Sequence, residues 1–243
     1  MSDHRFHRSW MALWLALATM GPAMADGPRA GFKLDSLAPV FKSPDQTMLI
    51  EQYAKDRKDD GLLFQFWTFD GDHHHARLLN PGEDDEVAGY AAGFRFSPDS
   101  QWLVRIQKLS AGYATLFLYQ RKADQFTPAT KKPLGDLAWD FFFKTPDSKG
   151  MHRNPKDLYS LDHATVALVK GMEENYAGMG QHWPDSRYIV VSLNFDIQGQ
   201  EKPSPWIEDW WCVYDVKTGA FSIPPDFAEN NAKAIMQPPP KPD

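Results

Sequence analysis

Apolar positions along this chain come in short runs separated by Gly-, Pro- and Asp-containing breaks. That pattern predicts many short strands and few amphipathic helices. The runs also repeat. Val40-Phe41-Lys42-Ser43-Pro44-Asp45-Gln46-Thr47-Met48-Leu49-Ile50, Phe94-Arg95-Phe96-Ser97-Pro98-Asp99-Ser100-Gln101-Trp102-Leu103-Val104 and Gly180-Gln181-His182-Trp183-Pro184-Asp185-Ser186-Arg187-Tyr188-Ile189-Val190 share one layout. Each has a short strand, a Pro-Asp turn, and a second strand led by an aromatic residue or Met. Pro fixes φ at the first turn position, and the Asp side chain can bond back to the backbone. The continuations agree as well. Third strands are expected at 62–69, 114–120 and 210–215, and fourth strands at 76–79, 125–127 and 220–223. Asp70-Gly71 and Lys217-Thr218-Gly219 are hairpin signals between them.

Other segments fit the repeat less well. Pro146-Asp147 follows Trp139-Asp140-Phe141-Phe142-Phe143, which reads as an aromatic strand, but Met151-His152-Arg153-Asn154-Pro155-Lys156 after it has no strand character. Residues 134–177 are therefore expected to be a degenerate or inserted unit. Within them, 162–176 reads as a short helix with Asp162 as N-cap. Residues after Phe227 read as unstructured, ending in Gln237-Pro238-Pro239-Pro240-Lys241-Pro242. The expected organisation is a leader at 1–25, a single domain at 26–228 and a Pro-rich tail at 229–243.

Ser97-Pro98-Asp99-Ser100-Gln101-Trp102-Leu103 resembles the SPDG-x-x-[IL] turn that enters the second strand of TolB-like and WD40-like β-propeller blades, with Ser100 in place of the usual Gly. The resemblance covers most of residues 38–130 and 178–225. It implies an all-β fold of antiparallel, four-stranded, blade-like sheets: a partial or irregular propeller with one non-strand insertion. It implies no function, because propellers host enzymes and scaffolds alike. Three or four units are few for a closed ring. The expected arrangements are an open, partial propeller, a sandwich of blade-like sheets, or half of an oligomeric ring, and the oligomeric state stays open.

The N-terminus changes the picture. His4, Arg5, His7 and Arg8 precede an apolar stretch at 10–20, followed by Ala23-Met24-Ala25. This is the pattern of a cleavable export signal, with Asp26 as the first mature residue. The apolar stretch is too short to span a bilayer. The expected location is the periplasm, with no membrane-spanning segment. Net charge is -6, from 26 Lys+Arg against 32 Asp+Glu, which argues against a nucleic-acid partner. The single cysteine, Cys212, lies in the apolar Trp210-Trp211-Cys212-Val213-Tyr214 and reads as a buried thiol.

Candidate chemistry is sparse. His73-His74-His75 after Asp70-Gly71-Asp72 reads as an exposed hairpin turn, because adjacent side chains on a strand point to opposite faces. Ser160, Asp162 and His163 lie too close together for triad roles, and no phosphate loop or His-Glu-x-x-His stretch occurs. No catalytic residue, metal or cofactor is assigned. The acidic loops carry more information. On a blade plan, Glu83, Asp84, Asp85, Glu86, Glu173, Glu174, Glu201 and Glu208 share one face, with Trp206 beside them in a Pro-flanked loop. That face suits a basic protein partner, with Trp206 as aromatic anchor. Exported partial propellers without a catalytic motif look similar to immunity proteins of interbacterial amidase effectors. That resemblance implies an inhibitor of a cell-wall-degrading enzyme. The alternatives are a TolB-like envelope scaffold and a hydrolase with a composite site between blades.

Overall fold

A computed structural model describes residues 27–79, 86–110, 112–151, 164–169, 186–195 and 206–236. The strands are β1 (Lys33–Leu34), β2 (Phe41–Lys42), β3 (Met48–Asp56), β4 (Leu62–Asp70), β5 (Arg77–Leu78), β6 (Val87–Ala88), β7 (Ala92–Phe96), β8 (Trp102–Lys108), β9 (Ala114–Lys122), β10 (Gln125–Pro128), β11 (Ala164–Leu168), β12 (Tyr188–Phe195), β13 (Trp206–Asp215), β14 (Ala220–Ser222) and β15 (Ile235–Met236). Among the described residues, two α-helices, α1 (Leu134–Phe142) and α2 (Ala228–Ala234), accompany the strands. The fold is mainly β, built from blade-like antiparallel sheets, and α1 is a non-strand insertion.

The first blade is a six-stranded sheet in the order β1-β3-β4-β5, with β2 also on β3 and β6 on β4. Its long central pair runs in unbroken register from Met48↔Asp70 to Asp56↔Leu62. The second blade is β7-β8-β9-β10, and the third is β11-β12-β13-β14. These two are joined into one nine-stranded sheet. The join is a single parallel contact, Thr165↔Ala114, at the start of β9, while β10 occupies the same edge farther along.

Alternation along the strands sorts two cores. Leu103 and Tyr119 face the first blade and pack with Met48, Ile50, Phe64, Phe66, Phe94 and Phe126. Val104, Leu116 and Leu118 face the other way, toward α1 and the third blade. The nine-stranded sheet curls around α1. Leu134, Ala138 and Phe142, spaced by four, place one helical face against Ile189, Val191, Trp210 and Cys212.

Three expectations are corrected here. Residues 139–142 are helical, because the 134/138/142 spacing buries one stripe against a curved sheet and outweighs the strand preference of their aromatics. Residues 164–168 are a strand, not a helix: Val166 and Leu168 are buried in alternation against β12. Residues 228–236 are ordered, forming α2 and β15. Asn231 donates to the Trp211 carbonyl and accepts from the Trp211 amide, both at 2.8 Å. With β14 and β15 at either end, this covers the outer edge of β13. Residues 1–26 and 237–243 lie outside the described residues, as does the strand expected at 180–183.

Candidate functional site: the cleft between the second and third blades

The Pro-Asp turns are built alike. In the first, the Ser43 hydroxyl donates to Asp45 Oδ1 at 2.6 Å and accepts from the Met48 amide at 2.9 Å, while the Thr47 amide donates to Asp45 Oδ1 at 3.1 Å. In the second, Ser97 donates to Asp99 Oδ1 at 2.6 Å and accepts from the Trp102 amide at 2.8 Å, and the Gln101 amide donates to Asp99 Oδ1 at 3.0 Å. Each turn then reaches the next blade. The Asp45 amide donates to the Ser100 hydroxyl at 3.1 Å, and the Asp99 amide donates to the Ser186 hydroxyl at 3.0 Å. The Ser that replaces the usual Gly is thus an inter-blade link, and Ser100 holds φ at 60°, as Gln46 does at the same place in the first turn.

The two junctions differ beyond that link. At the first, Arg121 of β9 crosses to Asp45 Oδ2 at 2.8 Å, and Arg77 reaches Asp124 at 2.5 Å. Burial alone would raise the Asp45 carboxyl. The hydrogen bonds from Ser43, Thr47 and Arg121 together outweigh it and hold it well below the usual carboxylate range. The Gln52 side chain exchanges two bonds with Ala92, at 2.7 and 2.9 Å, and the buried Arg105 guanidinium lies 4.0 Å from the Phe117 ring centre and 5.3 Å from that of Phe66.

At the second junction the walls part beside the Asp99–Ser186 link. A cleft of about 750 Å³ opens there. Asp99, Trp102, Leu118 and Gln120 line one wall, and Ser186, Arg187, Tyr214 and residues 216–219 line the other. Arg187 makes a two-pronged pair with Asp215, at 3.0 and 2.7 Å. That pairing holds the Asp215 carboxyl well below its ordinary range, with desolvation opposing it. The mix of aromatic faces, one carboxylate, one ammonium and a guanidinium already paired with Asp215 suits recognition of a polar chain segment.

The residues expected to form the acidic face are only partly described. Glu83, Asp84, Asp85, Glu173, Glu174 and Glu201 lie outside the described residues. Glu86 belongs to the first blade and pairs with Arg29 at 3.0 Å, so its charge is matched. Glu208 is exposed on β13 of the third blade and accepts a bond from the Trp206 indole at 2.9 Å. Trp206 is not a free loop residue. It opens β13, pairs with Met236 and is half-buried. The strand extends past the expected residue 210 because a bulge at Asp209, whose φ is 62°, is pinned by Ser192, Asn194 and Asn230.

The His run does form a turn, and its rings part company. His73 stacks on Phe69 at 4.0 Å and reaches Glu51 at 2.9 Å, while His75 meets Asp70 at 2.5 Å. The bond from His75 and one from the His74 amide hold Asp70 down at about 2. No group of His, Cys, Asp and Glu able to hold a metal occurs among the described residues. Cys212 is buried, and burial pushes its thiol well above the ordinary range. Asp147, of the Pro146-Asp147 pair, accepts a bond from the Trp210 indole at 2.8 Å. No helix among the described residues is long and apolar enough to cross a membrane.

Sequence reasoning misses the cleft because what distinguishes the two junctions is not local, and one of those differences rests on a single position. β8–β9 and β12–β13 register makes Gln120 equivalent to Asp215, and hence Arg121 equivalent to Val216. Both donate their amides to the matching turn residue, Arg121 to Gln101 at 2.8 Å and Val216 to Arg187 at 2.9 Å. The cation that clamps the first junction is a valine at the second.

No family model matches the sequence, and no curated protein does either. Among solved structures, the chain is similar to TolB from Acinetobacter baumannii, at 11% identity over 76% of this chain and 31% of that one, with a TM-score of 0.29. It is similar to the AtxE2 isopeptidase in its apo form, at 13% over 84% and 30%, with a TM-score of 0.38. It is also similar to the tricorn protease, at 13% over 77% and 22%, with a TM-score of 0.27. The chain spans less than a third of the length of each.

Proposed function

We propose that this chain is an exported binding protein of the cell envelope that acts by protein–protein contact. In its sharpest form it is an inhibitor or immunity protein that blocks a cell-wall-degrading enzyme. The observation that carries a binding role is the cleft between the second and third blades. Its turn end is pinned by the Asp99–Ser186 bond, and its floor is backed by the core around α1. A rigid cleft loses little entropy when a partner segment docks. The export-signal pattern at 1–25 supports export, and the acidic residues at 83–85, 173–174 and 201 would supply steering charge for a basic partner.

The test has two stages. Intact mass of protein from the periplasmic fraction should show a chain beginning at Asp26. The purified protein is then titrated against cell-wall hydrolases encoded beside it, and hydrolysis of peptidoglycan is followed. Stoichiometric inhibition is expected. Full hydrolase activity with no complex by size-exclusion chromatography would remove the inhibitor reading.

A further inference from the structure

We propose that the interblade cleft seats an arginine side chain of a partner protein, held on Asp99 as Arg121 is held on Asp45 within the molecule. This rests on the binding-protein reading above and names the chemistry that the site recognises.

The molecule supplies its own precedent. Asp45 spends Oδ1 on its turn and Oδ2 on a guanidinium from the next blade. Asp99 spends Oδ1 the same way, on Ser97 and Gln101. Its Oδ2 has no hydrogen bond among the described residues, and Asp99 is exposed at the cleft. The next blade has Val216 where Arg121 would stand, and Val216 lines the same cleft. The turns are held at matching spacing, 3.1 and 3.0 Å from amide to serine hydroxyl. Among the described residues, the second junction therefore keeps the carboxylate half of a clamp whose cationic half is missing.

The other charges at the cleft fit this assignment. Arg187 is already matched by Asp215. That leaves Asp99 for a cation and Lys217, on the hairpin of the third blade, for a carbonyl or carboxylate beside it. Trp102 offers a ring to a guanidinium, which stacks on aromatic faces better than an ammonium does. At about 750 Å³ the cleft exceeds one side chain, so backbone on either side of the arginine enters with it.

The probes are a blocked pentapeptide, Ala-Ala-Arg-Ala-Ala amide, its citrulline counterpart, and arginine amide. Binding is read by NMR from the Trp102 indole N–H of the full mature chain. A saturable shift with the arginine peptide is expected, at least tenfold weaker with citrulline, which keeps the shape but not the charge, and at least tenfold weaker with arginine amide. Asp99→Asn keeps the Oδ1 acceptor of the turn and should lose at least tenfold in affinity. Val216→Arg should fill the cleft from within and lose as much. Equal affinity for arginine and citrulline peptides, unchanged binding in both variants, or arginine amide binding as tightly as the peptide overturns the proposal. A hydrolase that binds wild type and both variants equally overturns the arginine seat and leaves the binding-protein reading intact. Peptide binding with no envelope partner overturns that reading and leaves the seat.

Discussion

The two blade junctions start from the same turn and end differently. Between the first and second blades, the Asp45–Ser100 link is backed by the Arg121 and Arg77 ion pairs, the Gln52–Ala92 exchange and the aromatic core around Phe94. Between the second and third, the Asp99–Ser186 link has no inter-blade ion pair beside it among the described residues, since Arg187 is spent on Asp215 of its own blade. The blades there meet through one parallel contact at the far end, and α1 fills the middle. A repeat thus makes a closed joint or an open one according to what reinforces the shared bond. The open joint leaves Asp99 Oδ2 without a hydrogen bond among the described residues, and on the proposed function that is the atom a partner would use.

The largest effects should come from the two fillings. Phe94 is fully buried and meets Phe41 and Phe66 edge-on at 5.2 and 5.4 Å. Phe142 is fully buried on α1 and meets Trp210 at 4.9 Å. Phe94→Ala and Phe142→Ala should each cost about 3–5 kcal/mol by denaturant unfolding. Only Phe142→Ala should move the Trp102 indole resonance, because α1 backs the cleft and Phe94 does not. An equal shift from both variants would show that the junctions are mechanically one.

How legible each joint is in the sequence follows from the range of its interactions. The turns are local: Ser43 to Met48 and Ser97 to Trp102 close within six residues, so Pro-Asp reveals them. The strands alternate, so 48–56, 62–70 and 102–108 are readable too. What joins the blades is not local. Arg121 acts 76 positions from Asp45, and Ser186 acts 87 from Asp99. The helix at 134–142 had a readable four-residue spacing, masked by aromatics that also favour strands. The Asn231 cover of β13 had no signal, since one Asn in a short polar helix looks like tail. Trp206 was misplaced because flanking prolines suggest a loop, whereas the bulge at Asp209 lets the strand begin there.

Acid should separate the joints next. Asp45 is held below its unfolded value, so its contribution is present above about pH 4 and is lost as pH falls toward the folded value. Arg121→Val, which copies the second junction onto the first, removes one of the bonds that hold Asp45 down. Asp45 is partly exposed, so solvent screening limits the loss to about 1 kcal/mol or less near neutral pH. The variant should show a shallower decline of stability below pH 4 than wild type, read from unfolding midpoints across pH. Parallel curves would mean that Arg121 does not set the Asp45 titration. The reciprocal Val216→Arg should gain about 1 kcal/mol or less if the clamp forms.

The smallest effects test the serine link itself. Ser100 both accepts from the Asp45 amide and holds φ at 60°, a region where a side chain costs about 1–2 kcal/mol. Ser100→Ala keeps that backbone strain and loses the bond, so it should cost about 1 kcal/mol. Ser100→Gly loses the same bond but relieves the strain, offset by about 0.5–1 kcal/mol of extra unfolded-chain freedom. Glycine should therefore be the more stable of the two replacements, with a net change from wild type of less than about 1 kcal/mol. Ser186→Ala removes the matching bond where no inter-blade ion pair stands behind it among the described residues. It should disturb Trp102 in NMR spectra, whereas Ser100→Ala, backed by Arg121, should not. If Ser100→Ala were as stable as wild type while Ser186→Ala left Trp102 unmoved, the hydroxyl links would be incidental, and packing alone would set the spacing of the blades.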